Sequence, residues 1–242
     1  MPVSADPAKR ISVIIPALDE AAAIGAVVAH AAAGENVETL VVDGGSRDAT
    51  VAAARAAGAR VISAPAGRAR QMNAGAAAAS GELLLFLHAD TRLPARWERT
   101  VRKTLAAPGV AAGAFRLGID TRRPGVHFIA RAANLRSRVL QLPYGDQAIF
   151  LRRSLFDRLG GFADLPIMED FDLVRRLRAM GRVVTADQAV VTSARRWRRL
   201  GIVRTWVINQ AVLAAFHAGL PPARIAGWYR SGSVTRRAAG RR

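Results

Sequence analysis

The chain has 242 residues, 51% of them hydrophobic, which suffices for one well-buried domain and not for two ample ones. It contains no cysteine, so disulfides and cysteine metal sites are excluded and a cytosolic setting fits; residues 1–10 lack the apolar stretch of a secretory signal, and no uncharged run approaches the ~20 apolar residues of a spanning helix. The net charge of +18 is nearly all arginine and favours anionic partners (nucleotides, phospholipid surfaces, nucleic acid), although solvated helix faces account for such a charge equally well.

Residues 11–15 form a continuous apolar, β-branched run that predicts a buried strand stopped by Pro16. Residues 20–33 are Ala-rich and end at Gly34, a helix with a glycine stop. Strands follow at 39–42, 60–63 and 83–87, with helices at 48–57 and 68–79 between them. This alternation predicts an α/β fold with a mostly parallel, Rossmann-like sheet and helices on both faces. Ligands bind beyond the carboxyl ends of such strands, and the polar residues gather there: Asp19 and Glu20, then Asp43, Gly44, Gly45, Ser46 and Asp48, then Arg68 and Arg70, then His88 and Asp90. Neither a Gly-x-Gly-x-x-Gly nor a Gly-Lys-Ser/Thr loop is present, so a diphosphate would have to be held by a metal ion and arginine.

Each motif has a plain structural reading beside the chemical one. Asp43 to Ser46 makes a turn and a helix cap, or offers Asp43 to a base or ribose. His88 and Asp90 alternate after an apolar strand, which puts imidazole and carboxylate on one side to bind a divalent ion, or else leaves Asp90 capping the helix after Pro94. Arg68, Arg70, Gln71 and Asn73 open a helix, where arginines suit phosphate. Glu169 and Asp170 are ordinary dipole partners in a first helical turn, but Asp172 adds a third carboxylate, more than capping needs. Tyr144 to Gln147 is a turn before a short strand at 148–151, or part of an acceptor site. Arg195 to Arg199 with Trp197 is a basic cluster able to clamp phosphate, sit on anionic lipid or stay solvated. Residues 205–220 carry no formal charge and form a core-packing or interfacial helix, and 230–242 form a basic, mobile tail.

In order along the chain, Ile11-Ser12-Val13-Ile14-Ile15-Pro16-Ala17-Leu18-Asp19-Glu20, Val42-Asp43-Gly44-Gly45-Ser46-Arg47-Asp48, Phe86-Leu87-His88-Ala89-Asp90, Gly145-Asp146-Gln147 and Met168-Glu169-Asp170 resemble family 2 glycosyltransferases of the GT-A fold, in their small bacterial "transferase 2" branch. The resemblance implies a single GT-A domain over residues 1–229 with a helical C-terminal segment, in which about 11–93 bind the nucleotide-sugar and about 94–229 the acceptor. It implies donor contacts from Asp19, Glu20 and Asp43, and from Arg196 in a segment, Arg195-Arg196-Trp197, that is similar to the family's Gln-x-x-Arg-Trp element. Pro16, Gly45, Ser46, Arg68, Gln71 and Asn73 join the expected donor set from their places at the strand ends and the start of the third helix. Asp90, aided by His88, would hold Mg2+ or Mn2+, Asp170 would be the catalytic base of an inverting transfer with Glu169 beside it, and Gly145, Asp146, Gln147 and Trp197 would meet the acceptor. His88 stands where the family usually has aspartate, and Ser193 where it has glutamine. The spanning helices of processive synthases are missing, so a processive synthase is not expected.

The expected partners are a nucleotide-diphosphate sugar, an acceptor that a lipid could carry, and an anionic membrane surface, with no nucleic acid. The expected location is cytoplasmic, peripheral on the inner face of the membrane. The alternatives are a sugar-nucleotide pyrophosphorylase, which would usually carry a Gly-rich basic loop where this chain has Pro16 to Glu20, and a non-enzymatic basic membrane- or nucleic-acid-binding module.

Overall fold

The structure, a computed structural model, describes residues 9–234. In chain order the elements are β1 (Ile11–Ala17), α1 (Ala21–Ala32), β2 (Val37–Asp43), α2 (Thr50–Ala56), β3 (Arg60–Ser63), α3 (Arg68–Ala78), β4 (Leu83–Phe86), β5 (Thr91–Arg92), α4 (Trp97–Ala106), β6 (Val110–Asp120) and α5 (Pro124–Leu140). A 3-10 turn (Gly145–Gln147), β7 (Phe150–Arg152), α6 (Arg153–Arg158), α7 (Glu169–Met180), β8 (Arg182–Ser193), α8 (Arg195–Leu200), α9 (Ile202–His217) and α10 (Pro222–Val234) complete it. The eight strands form one sheet in the order β3-β2-β1-β4-β7-β6-β8-β5. Pairings β3-β2, β2-β1, β1-β4 and β6-β8 are parallel, while β7 and β5 run antiparallel to their neighbours.

Alternation along β1 divides the core. Val13 and Ile15 pack with Ile24, Val27 and Val28 of α1 and Trp97, Val101 and Leu105 of α4. Ile14 packs on the other face with Met72 of α3, Phe156 of α6 and Leu173, Val174 and Leu177 of α7. The helices on both faces and the largely parallel sheet follow from those apolar strands. Gly75 brings α3 against the sheet, since a Cβ there would lie 2.4 Å from Ile14 Cγ2. Strand order reverses between β1 and β4, so the crevice beyond their carboxyl ends is the natural place for a ligand.

Three local expectations need correction. Pro16 lies within β1 rather than ending it. Ile14 O accepts from Leu87 N on the β4 side, so Pro16, two residues on, also faces that side, past the last β1-β4 pair at Ile14 and Phe86. Its missing N–H therefore costs no ladder bond. β7 begins at Phe150 rather than 148, because Ala148 has a left-handed backbone (φ 50°). The expected mobile tail begins inside α10, which runs to Val234; residues 235–242 lie outside those described.

The uncharged C-terminal segment folds as α9 and pairs with α10. Val212, Ile225 and Ala226 bury against Ile167 in the loop before α7. Among the described residues no helix is long and apolar enough to cross a membrane.

Candidate active site

A cavity of about 570 Å³ opens at the carboxyl ends of β1 and β4. Its floor is Pro16, Ala17 and Leu18 at the end of β1 and His88, Ala89 and Asp90 after β4. Arg68 and Gln71 enter from the first turn of α3, and Glu169 and Asp170 from the first turn of α7. The opposite wall is less polar, with Ile167, Met168 and Trp197, Val212 and Leu213 of α9, and Tyr229 of α10. Asp90 and Asp170 thus lie on one cavity. The first turn of α7 is aimed by Met168, whose left-handed φ of 67° is uncommon for a bulky residue and marks local backbone strain.

The charged groups form two clusters. In the first, Arg195 donates to both carboxylate oxygens of Glu20 at 2.6 and 2.9 Å and lies 3.8 Å from Asp90. Burial and the neighbouring Glu20 raise the Asp90 pKa, and Arg195 opposes that rise. In the second, Arg68 is 3.4 Å from the buried Glu169 and 3.4 Å from His88 Nε2. Burial is the main cause that pushes His88 down to about 4, with Arg68 adding to it, so the imidazole is neutral near pH 7. Glu169 is raised by burial. Asp146 is pushed up to about 6 by burial and by Asp170, against Arg136 and Arg68. Gly145 N donates to Asp170 Oδ2 at 2.6 Å and fixes that carboxylate. A Cβ on Gly145 would lie 3.0 Å from Asp170 Oδ2 and 3.1 Å from His88 Nε2, so the glycine is what lets the two groups approach.

His88 and Asp90, two residues apart, therefore meet different partners. His88 faces Arg68 and Asp170, whereas Asp90 faces Glu20 and Arg195.

Several expected ligand residues build the frame instead of the wall. Asp43 accepts from Gly45 N and Ser46 N, the turn arrangement, and Gly45 supplies φ 94°. Asp19 accepts from Arg47 N at 2.8 Å while Asp19 N donates to Ser46 Oγ, tying the first loop to the second. Asn73 exchanges two hydrogen bonds with the backbone of Phe162. Gln147 is buried, donates to Phe115 O and accepts from Ser137 Oγ and Tyr144 N. Gln71 lines the cavity but spends its amide N–H groups on Ala17 O and Val42 O. The side chain of Arg196, on α8, lies outside the described residues. Residues unforeseen in sequence also belong to the site: Arg136 stacks 3.6 Å above the Tyr144 ring, and Thr192, Thr205 and Asn209 line the cavity. Arg136 sits on α5 amid other arginines, and no local signal set it apart from them.

Residues 12–162, more than half the chain, match the glycosyl transferase family 2 profile. The chain is a family 2 glycosyltransferase. Among solved structures this glycosyltransferase is similar to the mannosyltransferase PcManGT of Pyrobaculum calidifontis, in complex with GDP-Man and Mn2+, at 22% identity and TM-score 0.64, over 100% of this chain and 79% of that one. It is also similar to glucosyl-3-phosphoglycerate synthase of Mycobacterium tuberculosis, in complex with Mn2+, UDP and glucosyl-3-phosphoglycerate, at 23% identity and TM-score 0.60, over 88% and 81%. Both likenesses are of fold. None of the curated proteins matches the glycosyltransferase in sequence. Family membership decides between transfer, pyrophosphorylysis and a non-enzymatic module in favour of transfer.

Proposed function

We propose that the enzyme moves a sugar from a nucleoside diphosphate donor to an acceptor hydroxyl, with inversion, in the cavity between the β1 and β4 ends and the α9-α10 hairpin. The observation that carries this reading is that Asp90 and Asp170, eighty positions apart, line one cavity. The nucleotides and Mn2+ held by the two similar structures support the donor class and a divalent ion.

The donor set fits such an ion. Glu20 and Asp90 are two carboxylates sharing one arginine, and no group of three His, Asp or Glu side chains able to hold a metal occurs among the described residues. The protein thus offers one or two oxygens and leaves the remaining positions to diphosphate and water, as Mg2+ and Mn2+ sites commonly do. Asp90, with Glu20 beside it, would hold the ion, which neutralises charge on the leaving diphosphate. His88 is assigned to orienting Asp170 rather than to the ion. Arg68, at the start of α3, faces donor phosphate.

Asp170 takes the proton of the attacking hydroxyl, its carboxylate held by the Gly145 N–H. Glu169 stays beside Arg68 as its counter-ion. Residues 11–93 form the donor half, where Asp19, Asp43, Gly45 and Ser46 shape the loops that flank the nucleotide. Residues 94–229 form the acceptor half, with Asp146 and Trp197 on its wall. The apolar side chains of α9 and α10 there suit an acceptor carried on a lipid, and so a cytoplasmic enzyme peripheral to the inner membrane face.

The test uses a panel of nucleotide sugars. Asp170→Asn should keep the thermal stabilisation by UDP or GDP with Mn2+ and lose ~10²–10⁴ in transfer rate. Asp90→Asn should lose the metal-dependent part of that stabilisation. Near-normal transfer by Asp170→Asn would overturn the assignment of the base.

A further inference from the structure

We propose that the outward faces of α5 and α9 form one docking surface for an anionic lipid bilayer. Two independent features coincide there. The first is apolar exposure. Phe128, Leu135 and Val139 stand outward along α5, with Phe128 73% and Val139 65% exposed. Val203, Trp206 and Val207 stand outward on α9 at positions i, i+3 and i+4, with Val203 75% exposed. Large apolar side chains lined up on an exposed helix face, rather than scattered singly, mark a surface that meets another apolar phase.

The second feature is charge. Residues 121–145 contain five arginines and no acidic residue, and residues 188–234 contain seven arginines and no acidic residue. These two segments hold α5 and α8 to α10, so the elements that carry the apolar faces are also wholly basic in sequence. Arg131 and Arg138 are exposed beside the apolar stripe of α5, and Arg198 and Arg204 near that of α9. The two helices meet through the start of α8: Val126 and Ala130 of α5 pack with Ala194, with Trp197 against them, and α8 packs on α9.

A bilayer fits better than the other occupants. Aliphatic and aromatic side chains ringed by arginine are what an interfacial helix presents to lipid, with the guanidinium groups at the anionic headgroups. Nucleic acid would use the arginines and leave Leu135, Val139, Val203 and Val207 in water. A second copy would set two surfaces of the same high positive charge against each other.

The geometry also ties the surface to catalysis. Thr205, Asn209, Val212 and Leu213 of α9 line the cavity, while the exposed Val203 and Val207 fall on the far side of the helix and Trp206 at its edge. A docked α9 would therefore be the partition between bilayer and active site, the arrangement that delivers a lipid-carried acceptor. That last link rests on the transfer reading above; the docking itself does not.

The experiment is co-sedimentation of the full chain with vesicles of phosphatidylcholine alone and of phosphatidylcholine with 40% phosphatidylglycerol at 0.15 M salt. The expected result is binding to the anionic vesicles at least tenfold stronger than to the neutral ones. The α5 variant Leu135→Ser/Val139→Ser and the α9 variant Val203→Ser/Val207→Ser should each lower that binding about tenfold. Both variants should keep the wild-type thermal shift with nucleotide diphosphate and Mn2+; a shift missing from the wild type too would count against the donor reading and leave the docking result standing. Failure to sediment with either vesicle overturns the proposal. So does undiminished binding by both variants, which would place the contact in charge alone, or a dimer in light scattering that those variants convert to monomer.

Discussion

Asp146→Asn should stabilise the protein, and more so at pH 8 than at pH 4.5. Burial and Asp170 lift the Asp146 carboxyl from 3.8 to about 6, while Arg136 and Arg68 pull the other way. A carboxyl raised in the folded state contributes stability that is complete below the unfolded pKa and is lost as pH rises through the folded one. The window is therefore about 3.8 to 6. The interval from 3.8 to about 6, at about 1.4 kcal/mol per tenfold change in proton affinity, sets a ceiling of about 3 kcal/mol above the window, of which about 2 kcal/mol separates pH 4.5 from pH 8. Asp146 is half-buried, and discounting for screening leaves about 1 kcal/mol. For a chain of this length that corresponds to about 2–4 °C. Thermal melts of wild type and variant at the two pH values measure the gap directly. A gap of zero, or a variant relatively less stable at pH 8, would refute the claim that the site holds this carboxyl against its ionisation.

Gly145→Ala should cut kcat/KM by about tenfold to a hundredfold while melting within a few degrees of wild type, because its Cβ would press on Asp170 and His88, 3.0 and 3.1 Å away; steady-state kinetics beside a melt separate the two effects. Arg195→Ala leaves Glu20 and Asp90 without their shared cation, so Mn2+ without nucleotide should raise its Tm more than it raises that of wild type, read by thermal shift; equal shifts would mean that arginine and metal do not compete. Gln147→Leu strands the buried Ser137 hydroxyl and the Phe115 carbonyl and should cost about 2–4 kcal/mol in urea unfolding. Gly75→Val places side-chain atoms where a Cβ alone already meets Ile14 at 2.4 Å, with a loss of about 3 kcal/mol or more by the same assay.

The alternating strands and helices of the first ninety residues were legible in the sequence because each is a local signal: an apolar run, an Ala-rich span, a glycine stop. β3 matches its expected bounds at Arg60–Ser63, and the others differ by a few residues at their ends. The long strands β6 and β8 were not anticipated. The Ala and Gly residues of β6 give no strand signal, and the two β-branched runs of β8, Val183 to Thr185 and Val190 to Thr192, are split by Ala186 to Ala189. The two strands pair with each other along most of their length. The ordered motifs carried the family, since their sequence of types survives without any knowledge of contacts.

What the sequence by itself determined was the inventory: an arginine-rich α/β chain with carboxylates, a histidine and arginines at the ends of its strands. Tertiary structure decided which of those groups face the cavity. Asp43 and Asp170 are both acids beside a loop, yet one is spent on Gly45 and Ser46 and the other stands in the cavity wall, held by Gly145. Gln71 reaches back to Ala17, and Arg195 crosses most of the chain to Glu20. The physical reason is that a carboxylate or amide finds its partner through space. Local pattern fixes where it is mounted and on which element, but the competition among water, backbone and a distant side chain is settled only when the sheet has brought those partners together.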